Sequence, residues 1–109
     1  MDATLLRGFS ANAEQAVALL KAVANDSRLL VLCHLVVEGE LSVSQLQERV
    51  GLGQSALSQH LAKLRDEGLV ATRKEAQTVF YHVCDPKAAR LLNVLHEIFC
   101  PELGKGGLT

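Results

Sequence analysis

A mainly α-helical fold carrying one β-hairpin is what this sequence predicts, on three observations. Two short helical segments, residues 42–50 and 54–67, are joined by Gly51-Leu52-Gly53, a connector tight enough to turn one helix against the next. Directly after them the apolar period changes from 3.6 to 2, because LVATRKEAQTVFYHV at 69–83 reads as two strand runs. Longer helical patterns stand on both sides. The order is α-α-α-α-β-β-α, a winged helix-turn-helix over residues 1–103 with 104–109 as a flexible tail.

The elements follow in order. Leu5, Phe9, Ala13, Ala16 and Leu20 fall at helical spacing and give a first helix over about 4–24. Asn25 or Asp26 caps the second. Its apolar residues Leu29, Leu30, Leu32, Cys33, Val36 and Val37 cover most of its circumference, so it belongs at the centre, and Gly39 ends it. Ser42 and Gln45 form a capping box, with Leu41 and Leu46 as the hydrophobic staple. Leu52 and Leu57 repeat the staple around an N-cap at Gly53, and Gly68 closes that helix as its C′ residue.

Thr72, Thr78, Val79, Phe80, Tyr81 and Val83 favour strand, and the polar segment 74–77 separates the two runs as a charged tip. Asp85 as N-cap and Pro86 at the first helical position open the last helix. Its apolar residues Ala88, Leu91, Leu92, Leu95, Ile98 and Phe99 run up to Cys100, where Pro101 stops it. The first and last helices carry more apolar surface than 109 residues easily cover, so a homodimer through them is expected.

Composition sets the class. Apolar residues at 49% and charged residues at 21% fit one ordinary globular domain. No apolar run reaches the roughly 18–20 residues that span a bilayer. MDATLLRGFS lacks the basic and apolar regions of a signal peptide, so a cytoplasmic location without a membrane partner is expected. Net charge is −1, yet its distribution is uneven. Residues 50–74 carry four bases against two acids, +2, while the rest holds seven against ten, −3. Such a patch steers one face to phosphate.

The helix at 54–67 suggests what that face does. Leu57, Leu61 and Leu64 form one apolar stripe, and Ser55, Gln59, Ala62 and Asp66 point away from it. A small, amide- and hydroxyl-bearing outer face suits base edges in a major groove, glutamine suiting adenine. The candidate contacts to double-stranded operator DNA are Gln54, Ser55, Ser58, Gln59, His60 and Lys63 on this helix, with Arg73, Lys74 and Gln77 on the hairpin. The competing class is a protein-interaction module whose winged helix has lost DNA affinity; Gln59, Arg73 and Lys74 argue against it. No enzyme is expected, since neither a nucleophile–base arrangement nor a phosphate-cradling glycine loop is present.

The stretch GELSVSQL…VGLGQSALSQHLAKLRDEGLVATRKEAQTVFYHV resembles the ArsR/SmtB family of winged-helix repressors, and the likeness runs along essentially the whole chain. LCHL in the second helix and a cysteine ending the last are similar to the BigR/SqrR/YgaV/HlyU-type branch, which senses reactive sulfur or oxidants. That resemblance implies a dimeric repressor, with Cys33 and Cys100 as the redox-sensing pair and a reactive sulfur species or oxidant as inducer. Gly53 departs from the pattern, since relatives commonly have serine there. Taken on its own, Cys33 would fit a buried cysteine that is just a small hydrophobe; Cys84 lies outside the implied pair and is expected to be structural.

Metal sensing is the alternative within the family. The thiolate type of site resembles ELCVCDL, where this chain has ELSVSQL, and serines 42 and 44 are poor ligands for soft metals. The zinc type needs an Asp-x-His start, where this chain reads Asp85-Pro86-Lys87. What remains is an ad hoc set of His96 and Cys100, four apart on one helical face, with Cys33. Neither a metal nor another cofactor is expected.

Overall fold

A computed structural model describes residues 3–99, with all their side chains except those of 3–6 and 11. The elements run α1 (Ala3–Val23), α2 (Asp26–Glu38), β1 (Leu41–Ser42), α3 (Val43–Val50), α4 (Gln54–Asp66), β2 (Val70–Glu75), β3 (Thr78–Val83) and α5 (Pro86–Phe99). This is the expected winged helix-turn-helix with one strand added. The tail at 104–109 and Cys100 lie outside the described residues.

Local chemistry sets the boundaries. Asn25 is the N-cap of α2, its side chain accepting from the Arg28 N–H at 3.0 Å. Ser42 and Gln45 complete the reciprocal capping box of α3 at 3.2 and 2.9 Å. Gly51 ends α3 at φ +72°, in the left-handed region that glycine enters without a steric penalty. Gly53 caps α4 through backbone shape alone, with no side chain to bond the open N–H groups. At the start of α5, Asp85 Oδ1 accepts from the Lys87 N–H at 2.9 Å.

The two-residue strand β1 escaped sequence reading because two residues carry no period. It forms because Leu41 and Ser42, the latter also the N-cap of α3, lie beside β3, pairing with Tyr81 and Phe80. The sheet is antiparallel throughout in the order β1-β3-β2. The hairpin is also tighter than the polar segment 74–77 suggested. Lys74 and Glu75 are strand residues paired with Val79 and Thr78, leaving a two-residue turn at Ala76-Gln77. Ala76 takes φ +53° there, which costs an L-residue energy.

One core joins these elements. Val31, Leu32 and Leu35 of α2 meet Leu46 of α3, the Leu57/Leu61/Leu64 stripe of α4, Val70 of β2, and Ala88 and Leu92 of α5. Helix α2 is central, as its apolar circumference predicted, and packs against α1, α3, α4 and α5. Not all of it is covered, since Leu30 and Val37 remain exposed. Within the described residues no helix is long and apolar enough to cross a membrane.

Candidate nucleic-acid interface

Helix α4 presents two chemically distinct faces. Leu57, Leu61 and Leu64 are buried to within 1% of complete, while Gln54, Ser55, Ser58, Gln59, Ala62, Lys63 and Asp66 are exposed. The opening residues of α4 follow a glycine connector, so the first turn projects with short side chains and open backbone N–H groups. His60 is half-buried on the flank of the stripe. Lys63 Nζ lies 3.2 Å from Glu67, an exposed pair that water or phosphate can break at little cost.

The hairpin divides its charges between two faces. Strand side chains alternate, and cross-strand partners share a face. Val70, Thr72 and Lys74 therefore share one face with Val83, Tyr81 and Val79. At its root this is the core face, because Val70 is buried and Tyr81 and Val83 pack on the core to which α4 contributes its leucines. Lys74 continues the side on which α4 lies. Arg73 is on the other face with Phe80 and Glu75.

All three guanidinium nitrogens of Arg73 find carboxylates on that face. Its Nη2 donates to Glu40 Oε1 at 2.8 Å, its Nε donates to the same carboxylate at 3.1–3.2 Å, and its Nη1 donates to Glu75 at 3.1 Å. The guanidinium carbon stands 4.9 Å from the centre of the Phe80 ring, within cation–π range. The hydrogen bond from Arg73 holds the Glu40 carboxyl below its usual range, and Glu40, then Glu75, pushes Arg73 higher still. Sequence reading put Arg73 on phosphate and did not single out Glu40, which stands 33 residues away. Gln77, at the turn, is exposed as expected.

The two described cysteines lie in different surroundings. Cys33 is half-buried on α2 and packs against the core. Helix α2 packs on α5, the arrangement that a Cys33–Cys100 pairing requires. Cys84 is exposed and its Sγ donates to the Gly68 carbonyl at 3.4 Å, joining the end of β3 to the loop after α4. Among the described residues, no three His, Cys, Asp or Glu side chains are grouped to hold a metal ion. The His96–Cys100 set includes a residue beyond them.

Exposed apolar side chains gather on the outer helices. Phe9, Val17 and Leu20 on α1, and Val94 and Ile98 on α5, are each about half exposed or more.

Residues 25–72 match the family described as "Bacterial regulatory protein, arsR family". The chain is 50% identical over 95 residues to the transcriptional activator HlyU of Vibrio cholerae, covering 87% of each chain. It is 43% identical over 90 residues to the biofilm growth-associated repressor of Xylella fastidiosa, covering 83% of this chain and 78% of that one. The solved structure of reduced HlyU from Vibrio cholerae superposes with a TM-score of 0.80 at 51% identity, over 86% of this chain and 98% of the other.

Proposed function

Because this chain belongs to the arsR family of bacterial regulatory proteins, which are DNA-binding transcriptional regulators, we propose that it is a dimeric repressor released from its operator by oxidation of a cysteine pair. The observation that carries the DNA-binding part is the exposed Gln54/Ser55/Ser58/Gln59 face over the buried leucine stripe of α4. In the major groove these side chains reach base edges, with His60 alongside, while Lys63 and the wing's Lys74 and Gln77 approach phosphates. Pairing two protomers through the exposed faces of α1 and α5 covers their apolar side chains and sets two recognition helices for half-sites about one turn apart.

The names of the relatives carry both signs of regulation. A bound dimer acts by occupying DNA. Occupancy that blocks polymerase represses, and occupancy that displaces a repressor activates. The chemistry of binding is the same in both cases.

Cys33 and Cys100 are the proposed sensor. One thiolate attacks the S–S bond of a persulfide or polysulfide donor and releases a thiolate. The second cysteine then attacks the mixed bond and releases the other. The two cysteines lose two protons and two electrons, and the donor's S–S bond is reduced. The resulting bridge ties α2 to α5, a helix of the proposed dimer face, and so biases the spacing of the recognition helices. A bias of about 1.4 kcal/mol against the DNA-competent arrangement reduces affinity tenfold. Support comes from the half-buried Cys33, the packing of α2 on α5, and a relative whose solved form is described as reduced. The reaction is that of a cytoplasmic protein whose resting thiols are kept reduced.

The test is a salt-dependent band shift on the chain's own promoter, with and without a persulfide donor. Binding that weakens with salt and is lost with persulfide is the expected result; binding indifferent to persulfide would overturn the sensor. Intact mass measured in the same samples identifies the bridge, as a loss of two hydrogens for a disulfide or that loss plus added sulfur for a polysulfide.

A further inference from the structure

The wing joins the body through β1, the short strand that precedes α3. Glu40 sits one residue before β1, on the short connection from α2 into the helix-turn-helix. Extending the β1–β3 register by one residue sets Glu40 beside His82, on the same face as Phe80 and Arg73. Its carboxylate takes the planar fork of Arg73 through Nε and Nη2, while Phe80 backs the guanidinium and Glu75 holds the remaining nitrogen. A two-point contact of this kind fixes direction as well as distance, which a lysine ammonium cannot do.

We propose that the Glu40–Arg73 pair is a strut that sets the angle of the wing on the body. Arg73 is then a positioning residue rather than a phosphate contact, and Glu40 is its partner. The charges agree with this. Two carboxylates already surround the one guanidinium, so this face of the wing is net negative and repels phosphate. Lys74, one residue on and on the α4 side, is the wing cation left to meet DNA. The strut holds that lysine in register with the recognition helix.

The proposal rests on the DNA-binding reading, so its test carries one readout that does not depend on DNA. Operator affinity is measured over a range of salt for wild type, Lys74→Ala, Arg73→Ala, Arg73→Lys and Glu40→Gln. A lost phosphate contact flattens the slope of log affinity against log salt by about 0.9 per protomer. Lys74→Ala is expected to do so. Arg73→Ala, Arg73→Lys and Glu40→Gln are each expected to weaken binding about two- to fivefold at unchanged slope, the range of an exposed but well-formed ion pair. The double variant Glu40→Gln/Arg73→Ala should be no weaker than either single one.

Hydrogen exchange of the free protein supplies the second readout. Faster amide exchange over 70–83 is expected in Glu40→Gln and in Arg73→Lys. If Arg73→Lys binds as wild type does while Arg73→Ala flattens the slope, Arg73 is a phosphate contact and the strut is wrong. Tighter binding with a steeper slope in Glu40→Gln would also overturn it, making Glu40 a competitor for Arg73. Wild type that binds no duplex at any salt would sink the DNA reading alone, and exchange would still decide the strut: unchanged exchange in both variants rejects it.

Discussion

Arg49 grips the Glu38 carboxylate with two nitrogens, Nε at 2.8 Å and Nη2 at 2.8 Å, and so ties the last turn of α2 to the last turn of α3. His34 Nδ1, one turn back on α2, lies 3.4 Å from the same carboxylate. The helix that bears Cys33 is thereby joined to the first helix of the helix-turn-helix by a directed contact, in addition to shared core packing.

That contact has an acid signature. The Arg49 hydrogen bond, more than any other cause, holds the Glu38 carboxyl below its usual value. A lowered folded pKa contributes stability that is full above the ordinary glutamate range, about 4.3, and is lost as pH falls through the folded value. Glu38→Gln should therefore be less stable than wild type at pH 7, with the gap closing in acid. Urea melts at pH 7 and at steps below 4.5 check this. A gap that stays constant with pH would remove Glu38 from the acid dependence.

Gln59→Ala is expected to weaken specific operator binding by about 1–3 kcal/mol while leaving the fold intact. Gln59 is exposed opposite the buried leucines, so nothing in the core depends on it. Titration against operator and a scrambled duplex measures the difference. Equal affinity of variant and wild type for the operator would take Gln59 out of base readout.

Gly53→Ser should stabilise the chain by a few tenths of a kcal/mol, raising the midpoint of melting by about 1–3 °C. Gly53 has ordinary extended backbone, φ −68° and ψ 160°, and a Cβ there meets nothing within 4 Å. The serine oxygen would accept an open N–H of the first turn of α4. A lower midpoint would mean that the glycine is needed for the connector's shape.

Ala76→Gly should also stabilise, by about 0.5–1 kcal/mol. Relief of the left-handed alanine, worth about 1–2 kcal/mol, exceeds the added freedom of glycine in the unfolded chain, about 0.4–1. Chemical denaturation of the two proteins side by side gives the value. Destabilisation would show that the turn is not strained.

Serine at Cys33 or at Cys100 should leave a regulator that binds its operator but no longer leaves it with persulfide. Cys84→Ser should still respond, since Cys84 lies outside the proposed pair. Band shifts with a persulfide donor separate the three. A Cys33/Cys100 double serine variant that dissociates normally would remove the pair as sensor. Release by zinc alone, lost in His96→Ala, would favour a metal-responsive regulator.

What the sequence determined by itself is local or periodic. Asn25, the Ser42–Gln45 box and the glycines at 39, 51 and 68 act within a few residues, so their roles could be read directly and the structure keeps them. The Leu57/Leu61/Leu64 stripe needed only helical geometry to separate the core face of α4 from its outer face. Contacts between distant segments had no such signal. β1 has two residues and exists only because β3 lies beside it. The tip residues Lys74 and Glu75 looked like loop by polarity, yet cross-strand hydrogen bonding makes them strand. Arg73 looked like any wing cation until the fold brought Glu40 to it across 33 residues. Periodicity assigns a side chain to a face; only the packed chain decides which partner waits there, because that partner's position is set by the core rather than by its own neighbours.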